Sequence, residues 1–102
     1  MIVYNVTCHL SESLLAEWLQ WMKTVHIPEV MQTGCFSEFK LFKLLNQAED
    51  DEGVNIAIQY KANTLSDYER YKSEFAPALQ LKTREKYGEQ ILAYRSLLEE
   101  IG

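Results

Sequence analysis

Basic residues are scarce in this sequence: ten Lys and Arg stand against 15 Asp and Glu, for a formal net charge of −5. Binding nucleic acid takes clustered cations that release counterions from phosphate. Here they are dispersed beside acids, as in Glu69-Arg70 and Arg84-Glu85-Lys86, so no nucleic acid partner is expected. Four glycines cannot furnish a glycine-rich phosphate loop, and no nucleophile elbow is present. The two cysteines and two histidines are scattered, which leaves no metal-ligand cluster and no metal or cofactor to expect. The acidic run Glu49-Asp50-Asp51-Glu52 lacks the ligand spacing of a calcium loop and reads as a solvated hairpin tip. No apolar run approaches the ~18 residues that span a bilayer, so no membrane is expected. The start, Met1-Ile2-Val3-Tyr4-Asn5, has no basic-then-apolar leader pattern. The expected compartment is therefore the cytoplasm, with both cysteines reduced. Cys8 falls among alternating apolar residues and reads as core. Cys35, just after Gly34 at a helix exit, is expected to be the more accessible.

What is abundant is core-forming material: 47% of the 102 residues are hydrophobic and 12% aromatic, enough for one domain over residues 1–102. Residues 1–10 alternate, with Ile2, Tyr4, Val6, Cys8 and Leu10 on one face and Val3, Asn5, Thr7 and His9 on the other, as in a strand. Leu15, Trp18, Leu19, Met22 and Val25 then repeat at helical spacing behind Ser11, a plausible cap. Pro28 is expected to bend or interrupt this helix near His26-Ile27, and Gly34 to end it. Residues 36–46 read as a strand, Asp50-Asp51-Glu52-Gly53 as a turn, and 54–61 as the clearest strand in the chain. Ser66-x-x-Glu69 forms a capping box for the next helix, with Thr64-x-x-Asp67 the weaker rival. Pro77 suits the first turn of a continuing helix over 77–87, which Gly88 stops, and 90–98 is a last strand. No internal repeat is visible.

The order strand, helix, strand, strand, helix, strand is the split β-α-β pattern of an α+β, ferredoxin-like fold. Right-handed crossovers place both helices on one face of a four-stranded antiparallel sheet. The other face would carry Val3, Ala57 and either Phe42 with Leu44 or Phe39 with Leu41. So much bare apolar surface predicts a homodimer through the open sheet face.

The segments Tyr4-Asn5-Val6-Thr7, Trp18-Leu19-x-Trp21-Met22-Lys23, His26-Ile27-Pro28-Glu29-Val30 and Thr33-Gly34-x-Phe36 resemble a bacterial family of roughly hundred-residue proteins of unknown function. The later Gln59-Tyr60, Ala76-Pro77-x-Leu79 and Tyr87-Gly88 fit it as well. The resemblance implies a dimeric α+β barrel, two ferredoxin-like protomers with their sheets facing. It implies no established activity and therefore no catalytic residues.

Among side chains with chemistry to offer, His26 stands first, since its titration range suits proton transfer or a pocket wall. Trp21 could lean toward a pocket while Trp18 fills the core. Asn5 and Gln59, on neighbouring strands, and Tyr60 complete the candidate pocket. The expectation is a ligand-binding or structural module with a possible small-molecule ligand. The alternative is a cofactor-independent monooxygenase or isomerase-like enzyme acting on a small aromatic substrate between helix and sheet. A closed pocket of a few hundred Å³ with His26 or Trp21 facing Asn5, Gln59 or a tyrosine would favour the enzyme.

Overall fold

The structure is a computed structural model that describes residues 1–46 and 52–102. Its elements are β1 (Ile2–Leu10), α1 (Glu12–Trp21), α2 (Ile27–Met31), β2 (Glu38–Lys43), β3 (Val54–Ala62), α3 (Leu65–Arg70), α4 (Ala76–Tyr87) and β4 (Leu92–Glu99). The strands form one antiparallel sheet in the order β2-β3-β1-β4, the ferredoxin-like arrangement. Of the acidic run and the expected turn, Glu49, Asp50 and Asp51 lie outside the described residues, and Glu52 and Gly53 within them.

Alternation in the two central strands fixes the faces. In β3 every second residue is buried, from Val54 to Ala62, and these pair with the even-numbered residues of β1. Burying this face against Trp18, Met22, Ile27, Val30, Tyr71 and Leu79 of the helical layer makes the core. At its centre Tyr4 stacks with Phe36 and Tyr60 and meets Tyr68 and Tyr71 at a tilt, at centroid separations of 5.3 to 6.1 Å. Phe36 seats itself in this cluster, and in doing so draws Cys35 inside. Cys35 is 2% exposed, so the accessible thiol expected there is corrected to a buried one.

Both helical connections carry the same irregularity. Residues Met22–His26 and Tyr71–Phe75 form π-helical turns, closed by Ile27 N–H to the Met22 carbonyl and Ala76 N–H to the Tyr71 carbonyl. Each turn runs into a proline, Pro28 or Pro77. A proline has no N–H for the carbonyl four residues back, and its ring crowds that carbonyl. Widening one turn removes the clash and lets the helix resume. The expected break near His26-Ile27 is thus a π turn, and Met22-Lys23-x-x-His26-Ile27-Pro28 has its structural counterpart in Tyr71-Lys72-x-x-Phe75-Ala76-Pro77.

The cap of α3 is Thr64. Its backbone is extended, and its Oγ1 accepts the Asp67 N–H at 3.1 Å. The capping box from Ser66 does not form, because Ser66 already lies inside the helix. Ser11 occupies the cap position of α1, but its hydroxyl meets Ser13 Oγ at 3.1 Å rather than a backbone N–H.

Candidate functional site

Helices and sheet do not meet everywhere. Between them, toward β4, lies a half-open cavity of about 530 Å³. Its floor comes from the helix-facing side of the sheet: Val6 and Cys8 of β1, Ile58 and Tyr60 of β3, Ala93 and Arg95 of β4. The register requires this, since Val6 pairs with Ile58 on one side and Arg95 on the other, and Cys8 with Ile56 and Ala93. Its roof comes from Trp18, from the π-turn residues Met22, His26 and Tyr71, and from Gln80 and Thr83 of α4. Both π turns therefore contribute to one wall.

The polar groups are of three kinds. Tyr4, Tyr60 and Tyr71 bring hydroxyls whose pKa values burial pushes above the ordinary phenol range; for Tyr4 and Tyr71 the nearby Arg95 guanidinium opposes that rise. All three are neutral donors at pH 7. Burial likewise pushes the Cys8 thiol up to about 11, with Arg95 again opposing, so it is no nucleophile. His26 is shifted the other way. Burial lowers its pKa, Glu29 opposes this, and Arg95 and Lys82 add to it, so the ring is neutral at pH 7. His26 Nδ1 lies 3.4 Å from Thr83 Oγ1, which is also 3.3 Å from the Leu79 carbonyl. When Thr83 gives its proton to Leu79, His26 Nδ1–H donates to Thr83 and Nε2 keeps its lone pair. Arg84 and Arg95 add positive charge to the lining, and Glu89 one negative charge.

Of the residues expected in a pocket, His26 and Tyr60 line this cavity. Trp21 stands behind His26, ring against ring at 5.3 Å and 22°, with Tyr87 edge-on at 5.5 Å. The buried tryptophan, Trp18, is the one that reaches the cavity wall. Asn5 and Gln59 are cross-strand partners on the opposite, open face of the sheet, where Asn5 Nδ2 donates to Thr7 Oγ1 at 3.0 Å. The structure thus brings His26 together with Tyr4, Tyr60 and Tyr71, and does not bring Asn5 or Gln59 to them. Arg95, Gln80 and Thr83 were not anticipated. The signal for Arg95 was present: Ile91, Ala93 and Leu97 share one parity of the last strand, and Arg95 is the lone cation among them.

The open face is mixed. Phe42, Leu92, Tyr94 and Leu98 are exposed there, around a polar centre of Asn5, Thr7, Gln59 and the His9–Asn55 pair, whose Nδ1 and Oδ1 are 3.0 Å apart. The register settles the parity of β2: Phe42 pairs with Ala57 on this face, while Phe39 and Leu41 pair with Tyr60 and Ile58 on the helical side. Among the described residues no helix is long and apolar enough to cross a membrane.

The sequence matches the family described as Domain of unknown function (DUF4286) over residues 1–101. No curated protein matches it. Among solved structures, a dimeric ferredoxin-like protein from an uncultured marine organism superposes with a TM-score of 0.74 at 11% identity, covering 100% of this chain and 96% of that one. HapK from Hahella chejuensis gives 0.69 at 9% identity, covering 100% and 94%. An ethyl tert-butyl ether D (EthD) family protein from Bacillus halodurans C-125 gives 0.67 at 12% identity, covering 99% and 100%. At such identities the likeness is one of fold.

Proposed function

We propose that this chain, which belongs to the DUF4286 family of unknown function, binds a small molecule between its helical layer and its sheet and works as a homodimer joined through the open sheet face. The cavity of about 530 Å³ carries the first half of the proposal. Its volume lies within the ~300–1,000 Å³ of small-molecule sites, and apolar walls with a few convergent polar groups are their usual make-up. The second half rests on Phe42, Leu92, Tyr94 and Leu98, which stand exposed on strands that this chain leaves uncovered. Burying even a few hundred Å² of such surface is worth several kcal/mol at about 25 cal/mol per Å², before the costs of association. Two of the structures similar in fold are of proteins described as dimeric. The free thiols of Cys8 and Cys35 favour the cytoplasm, and one sheet with one helical layer favours a single domain over residues 1–102.

Native mass spectrometry of protein purified from its own host tests both halves. The expected ion has twice the 11.9 kDa chain mass plus a non-protein increment. Bare chains of 11.9 kDa would overturn the proposal.

One observation favours a second reading, catalysis on a small aromatic substrate: His26, neutral and half-buried, lines the same cavity as three tyrosine hydroxyls. Incubating the protein with a panel of phenols and quinols under isotopically labelled oxygen would show labelled or rearranged products. A rate unchanged in His26→Gln would dismiss the histidine from that chemistry.

A further inference from the structure

The charge around the cavity runs against the charge of the chain. The sequence is net −5, yet two of its three arginines, Arg84 and Arg95, line this one space, with Glu89 the sole acid beside them. Among the described residues neither arginine has a carboxylate within 4.0 Å, whereas Lys61 and Lys82 are paired with Glu38 and Glu29 at 3.1 and 2.8 Å. Arg95 is also misplaced for an ordinary strand cation. It sits opposite Val6 on the helix-facing side of the sheet, beside the Tyr4 hydroxyl, which the Gln80 side chain approaches as well. Arg95 is exposed on the edge strand β4, and a guanidinium at a cavity wall with no carboxylate beside it among the described residues is suited to an incoming anion, which it can grip with two parallel hydrogen bonds.

A second observation points to the same space. Trp18 is 0% exposed and lines the cavity, and among the described residues its indole Nε1–H has no hydrogen-bond partner. Buried donors are nearly always satisfied, so an orphan at a cavity wall marks a place where an acceptor is missing. Met22, Ile58 and Ala93 add apolar wall, and Tyr60 and Tyr71 add flat rings, beside the polar His26 and Thr83.

On the reading that the cavity holds a small molecule, we infer that its occupant is a planar aromatic acid: its anionic group is held by Arg95, with Tyr4 and Gln80 alongside, and its ring lies against Trp18, Tyr60 and Tyr71. Arg84 widens the positive field at the same site and adds on-rate rather than grip.

The test uses two fluorescent probes that share a ring system. 1-Anilinonaphthalene-8-sulfonate carries an anion; N-phenyl-1-naphthylamine lacks it. The purified full-length chain should bind the anionic probe roughly tenfold to a hundredfold more tightly, the range for one hydrogen-bonded charge pair. Arg95→Gln should bring the two affinities level by weakening the anionic probe alone, and Arg95→Lys should recover part of the difference. Ala93→Phe, or Thr83→Phe from the helical side should the first not fold, fills the cavity and should abolish both. Thermal melts establish which variants are folded. Two probes of equal affinity, or an Arg95→Gln variant that weakens both alike, would overturn the anionic occupant while leaving the cavity reading intact. Binding that survives the filling variants, or no binding of either probe, would overturn the cavity reading and this inference with it.

Discussion

Two glycines with positive φ allow the backbone conformation and the close approach of chains to be measured separately. Gly34 has φ +76 and Gly53 φ +92, so a side chain at either position sits in the region that L residues avoid, at a cost of about 1–2 kcal/mol. Only Gly53 is also crowded. A Cβ there would stand 2.5 Å from the Leu10 carbonyl oxygen and 3.3 Å from the His9 ring, while at Gly34 nothing lies within 4 Å. The carbonyl belongs to the end of β1, where Leu10 pairs with Val54, and it can retreat only by loosening that pair. Overpacking of this kind adds about 1–3 kcal/mol. Gly34→Ala should therefore cost about 1–2 kcal/mol and Gly53→Ala about 2–5 kcal/mol. Since 1 kcal/mol moves the midpoint by about 4–8 °C in a domain of this size, the Gly53 variant should melt several degrees below the Gly34 variant. Circular dichroism melts of both at one concentration give the comparison. Equal losses would refute the steric part of the reasoning, and a Gly53→Ala protein as stable as the parent would refute all of it.

Three further outcomes follow from the same structure. Thr64→Ala should cost about 0.5–2 kcal/mol of stability in urea unfolding and Ser66→Ala less than about 0.5 kcal/mol, because the hydroxyl of Thr64 is the one that holds the Asp67 N–H. His26 has a folded pKa below the ordinary 6.5 through burial, with Glu29 opposing and Arg95 and Lys82 adding. Its contribution to stability is therefore complete above 6.5 and is lost as the pH falls toward the folded value, since the unfolded chain takes up the proton first. Unfolding free energies from pH 8 down to 5 should show this decline, and His26→Gln should flatten it. Cys8 and Cys35 are both buried, so a disulfide reagent at pH 8 should titrate neither thiol in the native protein and both after denaturation.

Most of the fold was legible in the sequence because it rests on two short periods. The alternation of β1 and β3 names the buried face residue by residue, and the order of elements then leaves the ferredoxin-like topology. Other features depended on contacts that no local pattern encodes. The strand expected over 36–46 is confined to Glu38–Lys43 by pairing with β3, and its parity was undecided until Phe42 met Ala57. Pro28 and Pro77 announced a disturbance, but the π turns show only once two helices are seen to solve the same clash in the same way. At α3 the capping box favoured Ser66. The extended backbone of Thr64 decided the matter, since a cap needs that conformation as well as a hydroxyl. Of the site, His26 and Tyr60 were legible as residues that combine polarity with a place on the inner side. Asn5 and Gln59 were chosen for their amides, and their parity puts them on the far side of the sheet. Arg95 was passed over because it stays exposed on an edge strand, and only its pairing with Val6 puts it on the helix-facing side of the sheet.

The sheet itself divides two reporters, which makes their response to a ligand the most direct measurement of where an occupant sits. Trp18, whose indole N–H gives its own resonance, belongs to the helical side and lines the cavity, and Asn5 and Gln59 stand on the open side. In nitrogen-edited NMR spectra titrated with 1-anilinonaphthalene-8-sulfonate, an occupant between helices and sheet moves the Trp18 indole resonance first and leaves both amides in place. Movement of the Asn5 and Gln59 amides with a stationary Trp18 signal would put the ligand on the bare strands and contradict the cavity as the binding site.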